Sequence, residues 1–235
     1  MPHYLPRTIF ETLLAQTVGI PGYIGRSSRR KLRRRFGKRS LSEFESILKK
    51  LSKDDIVLDL GANIGEITAQ LASTGAKVHA YEPDPLTFSL LDERFREFNN
   101  VVTHNKAVGA KTGSARLRRM KGVADPNKWR AASEGASIRY TDQRMNLDDS
   151  VDVEILSFMN IVNSHEKRIK LIKMDIEGAE WDILDTIFSM PEPFNFEYLF
   201  VETHEMLELD KIPLVDEYRL RSSGFSHSYV DLYWP

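Results

Sequence analysis

Four short stretches bring together residue types that can hold a ligand or move a proton. The first is Asp59-Leu60-Gly61-Ala62-Asn63-Ile64-Gly65, where the glycines let the backbone turn tightly and approach a ligand closely. Its spacing is not the G-x-G-x-x-G of a diphosphate loop, and an aspartate before the first glycine would repel a diphosphate. That carboxylate suits the ammonium of an amino-acid moiety instead. The second stretch is Tyr81-Glu82-Pro83, with Glu82 placed 17 residues after Gly65. An acid at that spacing, on the tip of the next strand, accepts hydrogen bonds from both hydroxyls of a ribose. Together the two stretches point to a nucleoside ligand.

The remaining stretches are Asp175-Ile176-Glu177 and Glu202-Thr203-His204. A general base must reach a hydroxyl proton and titrate near the working pH. An ordinary histidine meets the second condition unaltered, so His204 is expected as base, with Asp175 orienting and Glu177 close by. A carboxylate in that role would need burial or like-charge crowding to raise its pKa. The same groups also read as oxygen and imidazole ligands for a divalent ion, although no tight spacing demands one. The alternative is that Glu177 and Glu180 are acids facing the positive end of a helix that starts near Gly178, and His204 a loop histidine.

The elements that must position these residues follow from periodicity. Leu41, Phe44, Leu48 and Leu51 recur at helical steps, predicting an amphipathic helix over 41–51. Ile56–Leu60, Lys77–Tyr81, Val101–His104, Val151–Leu156, Ile169–Met174 and Tyr198–Val201 read as strands. Helical patterns follow Gly65 and Pro85 and cover Ala179–Phe188 and Pro213–Arg221, and Phe225–Tyr233 reads as extended. Lys106–Arg119 predicts a hairpin turning at 110–113. The stretch 120–136, with Trp129 and Arg130, reads as a loop long enough to be a lid over a sugar ring or carboxylate. Strands alternating with helices imply an α/β fold, a mostly parallel doubly wound sheet with helices on both faces, and a ligand at the carboxyl ends of the strands.

In this larger pattern the sequence resembles the class I S-adenosylmethionine (SAM) methyltransferases and, among them, the FkbM family. The matching residues are Val57–Gly65, Tyr81–Pro85 with Phe88 and Leu91, Asn105–Gly109 with Gly113, Ile172–Glu180 and Val201–His204, over about residues 41–224. The resemblance implies a Rossmann-like fold in which Asp59, Gly61, Asn63 and Gly65 line the methionine end of SAM. It puts Glu82 on the ribose with Pro83 and Asp84 beside it, Asn105 and Ala107 on the adenine side, and Asp175 beside the transferred methyl group. The acceptor it implies is a hydroxyl on a sugar, glycan or other small metabolite. Such folds usually finish with an antiparallel pair of strands, and Phe225–Tyr233 supplies one strand of that pair, which leaves the last edge strand in question.

Composition sets the outer limits. With 235 residues, 41% hydrophobic and 29% charged, the chain reads as one globular α/β domain with an extension. It has no cysteine, which excludes disulfides, thiolate metal sites and thiol nucleophiles. No apolar run reaches the length of a spanning helix, so an integral membrane protein is not expected; the expected location is cytoplasmic, either free or membrane-peripheral. The near-zero net charge is lopsided: residues 1–40 carry a net of +9, and the rest −10. We therefore divide the chain into a basic extension, 1–40, and a methyltransferase domain, 41–235. The basic run 26–39 reads either as a solvated face or, with Ile9, Phe10, Leu13, Leu14, Val18 and Ile20 before it, as a peripheral contact to an anionic membrane. Nucleic acid is a weaker partner, because the run lacks interleaved aromatics and the acidic remainder repels a phosphate backbone. A non-catalytic SAM-binding protein tethered by its basic arm is the remaining alternative.

Overall fold

The computed structural model describes residues 5–120, 136–138 and 145–235. Two helices come first, α1 (Ile9–Thr17) and α2 (Tyr23–Leu48). The Thr8 hydroxyl caps α1 by accepting the Glu11 N–H at 3.2 Å. Helix α2 overturns one expectation: the helix predicted over 41–51 starts at Tyr23 and runs unbroken through 40 and 41. The reason is one buried stripe, Gly25, Ser28, Leu32, Phe36, Ser40, Phe44 and Ile47, which recurs at steps of three and four through the arginines.

The strands are β1 (Ile56–Leu60), β2 (Lys77–Tyr81), β3 (Val101–His104), β4 (Ala107–Gly109), β5 (Gly113–Met120), β6 (Met145–Ser157), β7 (Ile169–Met174), β8 (Phe196–Val201) and β9 (Tyr229–Asp231). Between and after them lie α3 (Glu66–Ser73), α4 (Pro85–Phe95), α5 (Phe158–Ser164), α6 (Glu180–Ser189) and α7 (Ile212–Ser222). The main sheet has the order β3-β2-β1-β7-β8-β9, and every pairing in it is parallel. Among the described residues it holds no antiparallel strand, and β9 forms a short parallel edge.

Side chains alternate between two cores, as a sheet covered on both faces requires. Leu58, Leu60, Ile172, Met174 and Val201 pack with Phe158, Trp181 and Val215 on the side of α5, α6 and α7. Val57, Val78, Leu171 and Phe200 pack with Phe44, Leu71 and Leu91 on the side of α2, α3 and α4. No helix among the described residues is long and apolar enough to cross a membrane.

A second, three-stranded sheet corrects the predicted hairpin. β4 and β5 do not pair with each other. β6 lies between them, parallel to β4 and antiparallel to β5, so that Ile155 faces both Ala107 and Gly113. A thirteen-residue strand from later in the chain outcompetes the local turn.

Strand order reverses between β1 and β7, the place where open α/β sheets bind ligands. In register, Leu60 faces Tyr81 and Met174, and Met174 faces Val201. The next residue of each strand is Gly61, Glu82, Asp175 or Glu202. All four therefore leave the sheet at one level on its carboxyl rim.

Candidate active site

On the β1 side, Asp59 stands opposite Lys173 in register. Its carboxylate is fully buried, accepts the Thr68 hydroxyl at 2.6 Å and lies 3.5 Å from Lys173 Nζ. Burial holds Asp59 above the ordinary aspartate range, against the pull of that ammonium. Lys173 donates to the Gly61 carbonyl at 2.9 Å and lies 3.6 Å from Asp175. Burial opposes its charge, but Asp59, Asp175 and Glu202 together hold its pKa above the usual lysine value. One ammonium thus ties the two middle strands together.

Gly61 has φ +77°, and a Cβ there would stand 1.7 Å from the Asp175 carbonyl oxygen. This close approach of two strand ends shapes the floor of the site. Asn63, also left-handed at φ +50°, aims its N–H at Glu82 Oε2 at 2.9 Å. The Asp84 N–H donates to Glu82 Oε1 at the same distance. Both oxygens of Glu82 are therefore held by backbone, and burial still pushes its pKa up to about 7. Asn105 steadies the strand tip by donating to the carbonyls of Glu82 and Pro83 at 2.9 and 3.0 Å. Asp84 faces elsewhere: it caps α4 and receives two hydrogen bonds of 2.7 Å from Arg119.

On the β7 side the carboxylates hold one another. Glu180, fully buried, accepts the Gly178 N–H at 2.7 Å with one oxygen. The other oxygen accepts the His204 N–H at 3.1 Å and faces its Nδ1 at 2.9 Å. Because a carboxylate only accepts, Nδ1 carries a proton. Nε2 then points to Glu177 at 3.4 Å and Asp175 at 3.9 Å. Burial works against an imidazolium here, but Glu180, Glu177 and Asp175 raise His204 to about 9. The expectation of a histidine titrating near neutrality unaltered therefore fails: three carboxylates keep this one charged. Burial lifts Glu177 to about 7, offset in part by His204, and raises Glu202 as well. Glu177 sits at φ +50°, and its carbonyl accepts the Ser137 hydroxyl at 2.6 Å. Among the described residues, the two non-glycine residues with positive φ, Asn63 and Glu177, thus flank one cleft.

Between the two sides lies a cavity of about 420 Å³, a volume typical of small-ligand sites. Of the residues expected from sequence, Gly61, Asn63, Glu82, Pro83, Ala107, Asp175 and Glu177 line it. Asp59, Gly65, Asp84, Asn105 and His204 stand behind the wall, and there Asp59, Asn105 and His204 prop residues that line it. Trp129 and Arg130 fall outside the described residues. Sequence reasoning missed Lys173, which lines the cavity, and the positioning role of Glu180. The available signal for Lys173 was a lysine in an apolar strand one residue from the rim. Among the described residues, Asp175 Oδ1 is buried without a hydrogen-bond partner, an acceptor left for something that enters the cleft.

Residues 59–220 match the methyltransferase FkbM domain, well over half of the chain. This chain belongs to the FkbM family. Among curated relatives, it is similar to the hexuronic acid methyltransferase AglP of Haloferax volcanii, 27% identical over 160 residues, covering 67% of this chain and 59% of that protein. It is 30% identical over 145 residues to Methyltransferase 1 of Beauveria bassiana, covering 56% of this chain and 57% of that one. A shorter match of 51 residues, 45% identical, links it to ribosomal RNA small subunit methyltransferase A of Thermotoga neapolitana, over 22% and 20% of the two chains. In each case the chain spans less than two thirds of the relative. The FkbM match begins at Asp59, takes in Glu82, Asp175–Glu180 and His204, and leaves out α1, α2 and β9. Within this site Asp175, Glu177 and His204 present ligand atoms within 4.8 Å of one another. A divalent ion there would have to displace the proton that the carboxylates keep on His204.

Proposed function

We propose that this chain is a cytoplasmic SAM-dependent methyltransferase acting on a hydroxyl oxygen of a sugar, glycan or other small metabolite, with residues 41–235 as the methyltransferase domain and 1–40 as its extension. The observation that carries the reading is Glu82, a buried carboxylate whose two oxygens are fixed by backbone donors beside a glycine turn. It shares one cavity with Asp175, whose Oδ1 accepts no hydrogen bond among the described residues. A nucleoside bearing a cation matches both acceptors. The acceptor class is supported by the likeness to a hexuronic acid methyltransferase.

When bound, SAM supplies a methyl group already activated by a sulfonium charge, and the work of this chain is alignment and proton removal. Glu82 accepts hydrogen bonds from the ribose hydroxyls, with Pro83 and Ala107 forming the wall beyond it. Gly61 and Asn63 line the amino-acid end, where Lys173 offers an ammonium backed by Asp59. Gly65, Asp84 and Asn105 keep this wall in place. On the other side Glu180 fixes the His204 proton on Nδ1, in the manner of the third member of a catalytic triad. Positive charge in the cleft lowers the imidazolium pKa, so His204 sheds its second proton and turns a bare Nε2 towards Asp175 and Glu177. Glu177, which lines the cavity, takes the acceptor hydroxyl proton and passes it to that nitrogen 3.4 Å away, while Asp175 orients the acceptor.

The test is calorimetric titration with S-adenosylhomocysteine, followed by radiolabelled methyl transfer to uronic acids and glycan extracts. The wild type should bind the nucleoside, and Glu82→Ala should weaken binding at least tenfold. His204→Ala should spare binding and slow turnover by about 10²-fold or more. No binding by the wild type, or two variants that behave like it, overturns the reading.

A further inference from the structure

Helix α2 divides its cations between two sides. Arg29 pairs with Asp216, Arg33 with Glu205, and Arg35 and Arg39 with the buried Glu11. Arg29 and Arg33 thus fasten α2 to the domain, and Arg35 and Arg39 fasten α1 to α2. Arg26, Arg30, Arg34 and Lys38 recur at every fourth residue on the side away from the buried stripe, with Lys31 beside them. All five are exposed, and none has a salt-bridge partner among the described residues. At a rise of 1.5 Å per residue they form a basic stripe about 18 Å long.

Apolar side chains are also exposed on this pair of helices. On α1, Ile9 is 84% exposed, and Leu13 one turn later is 55% exposed. At the start of α2, Tyr23 is 75% and Ile24 56% exposed. The helices are held side by side by Leu14, Leu32 and Phe36, by Arg35 over the Phe10 ring at 4.9 Å, and by Arg39 donating to the Leu5 carbonyl. The basic stripe and the exposed apolar groups are therefore carried by one pair of packed helices.

We propose that this helix pair docks the protein on an anionic lipid bilayer, with Ile9, Leu13, Tyr23 and Ile24 entering the interface and the stripe lying over acidic headgroups. Neither component binds a membrane strongly alone, and stable peripheral attachment needs two such signals. A polynucleotide would use the charges but would leave the aliphatic groups without a function. The acidic remainder of the chain orients the molecule, because it is repelled by the surface that attracts the stripe. The same helix borders the active site. Leu41, one turn beyond Lys38, lines the cavity, and Arg33 donates to the Thr203 carbonyl at 2.7 Å, one residue before His204. On the methyl-transfer reading above, docking would bring the cleft to an acceptor hydroxyl carried by a membrane-bound lipid or lipid-linked sugar. The docking itself does not rest on that reading.

The test is co-sedimentation of the full chain with phosphatidylcholine vesicles made with and without phosphatidylserine. We expect binding that requires phosphatidylserine and weakens with salt. Replacing Arg26, Arg30, Arg34 and Lys38 by Gln should lower partitioning at least 100-fold, since each basic group near such a surface is worth roughly fivefold. Replacing Ile9, Leu13 and Tyr23 by Ser should lower it at least tenfold and leave a residue of binding that salt abolishes. Every changed side chain is exposed, so helical content by circular dichroism and homocysteine-nucleoside affinity should match the parent. Absence of vesicle binding, indifference to phosphatidylserine, or tighter retention on RNA or DNA that ignores the apolar substitutions each overturns the proposal. Failure of the parent to bind S-adenosylhomocysteine would sink the methyl-transfer reading and leave the vesicle result standing.

Discussion

The two sides of the cleft hold their carboxylates in different ways. On the β1–β2 side, Glu82 is gripped by the N–H groups of Asn63 and Asp84. Those donors belong to the main chain, so the path of two loops fixes the acid whatever its neighbours titrate. On the β7–β8 side, Glu177, Asp175 and Glu180 surround His204 and share its protons. There the arrangement depends on charge. One side is a fixed socket, the other a proton store, and they meet at Gly61 and Lys173.

Breaking that meeting point should have the largest effect. Gly61→Ala puts a Cβ against the Asp175 backbone, which cannot swing aside, at a positive φ besides. The expected cost is about 3 kcal/mol or more of stability. Loss of both nucleoside binding and turnover should follow, read by thermal unfolding and calorimetry. Gly65→Ala meets only the side chains of Leu91 and Phe95, which can move, and should cost less.

The same contrast governs what the sequence discloses. The socket was legible because its parts are contiguous: a glycine turn, then an acid at a strand tip. The sequence pattern turns Asp59 towards a ligand, yet in the fold it lies behind Lys173, a neighbour created by strand pairing more than a hundred residues away. The proton store was visible as residue types but not as a charge state. His204 lies 24 residues from Glu180, and only the packing of α6 against the end of β8 shows that the imidazole is surrounded by carboxylates. Local patterning likewise misleads at β4 and β5, where a distant strand displaces the turn, and at α2, where a buried stripe carries the helix back through the arginines of the extension.

Glu180→Gln sharpens the comparison at intermediate scale. It keeps the shape of the group that orients His204 and removes its charge. Nucleoside affinity should stay within about twofold, and turnover should fall by about 10- to 10³-fold as the tautomer is lost. Stability should report the same change. His204 is raised to about 9 in the fold, so its contribution is complete below the ordinary value near 6.5 and is lost as pH climbs through about 9. Chemical denaturation of the parent should therefore show stability falling between pH 7 and 9 by about 1–3 kcal/mol. Glu82, Glu177 and Asp231 are also raised and push the same way, but they remain in the variant. A parent and variant with equal slopes would show that Glu180 does not hold the proton.

The smallest effect separates the two sides by pH alone. Glu82 titrates at about 7, and only its ionised form accepts from both ribose hydroxyls. Between pH 6 and 8 its ionised fraction rises from about a tenth to about nine tenths, so affinity for S-adenosylhomocysteine should tighten up to about tenfold. Glu177 titrates in the same window, which makes the pair of variants decisive. In Glu82→Gln the affinity should be weak and flat with pH. In Glu177→Gln it should keep the parent's slope, because that carboxylate belongs to the proton store and not to the socket. A slope that vanishes with Glu177 and survives without Glu82 would reverse the assignment of the two sides.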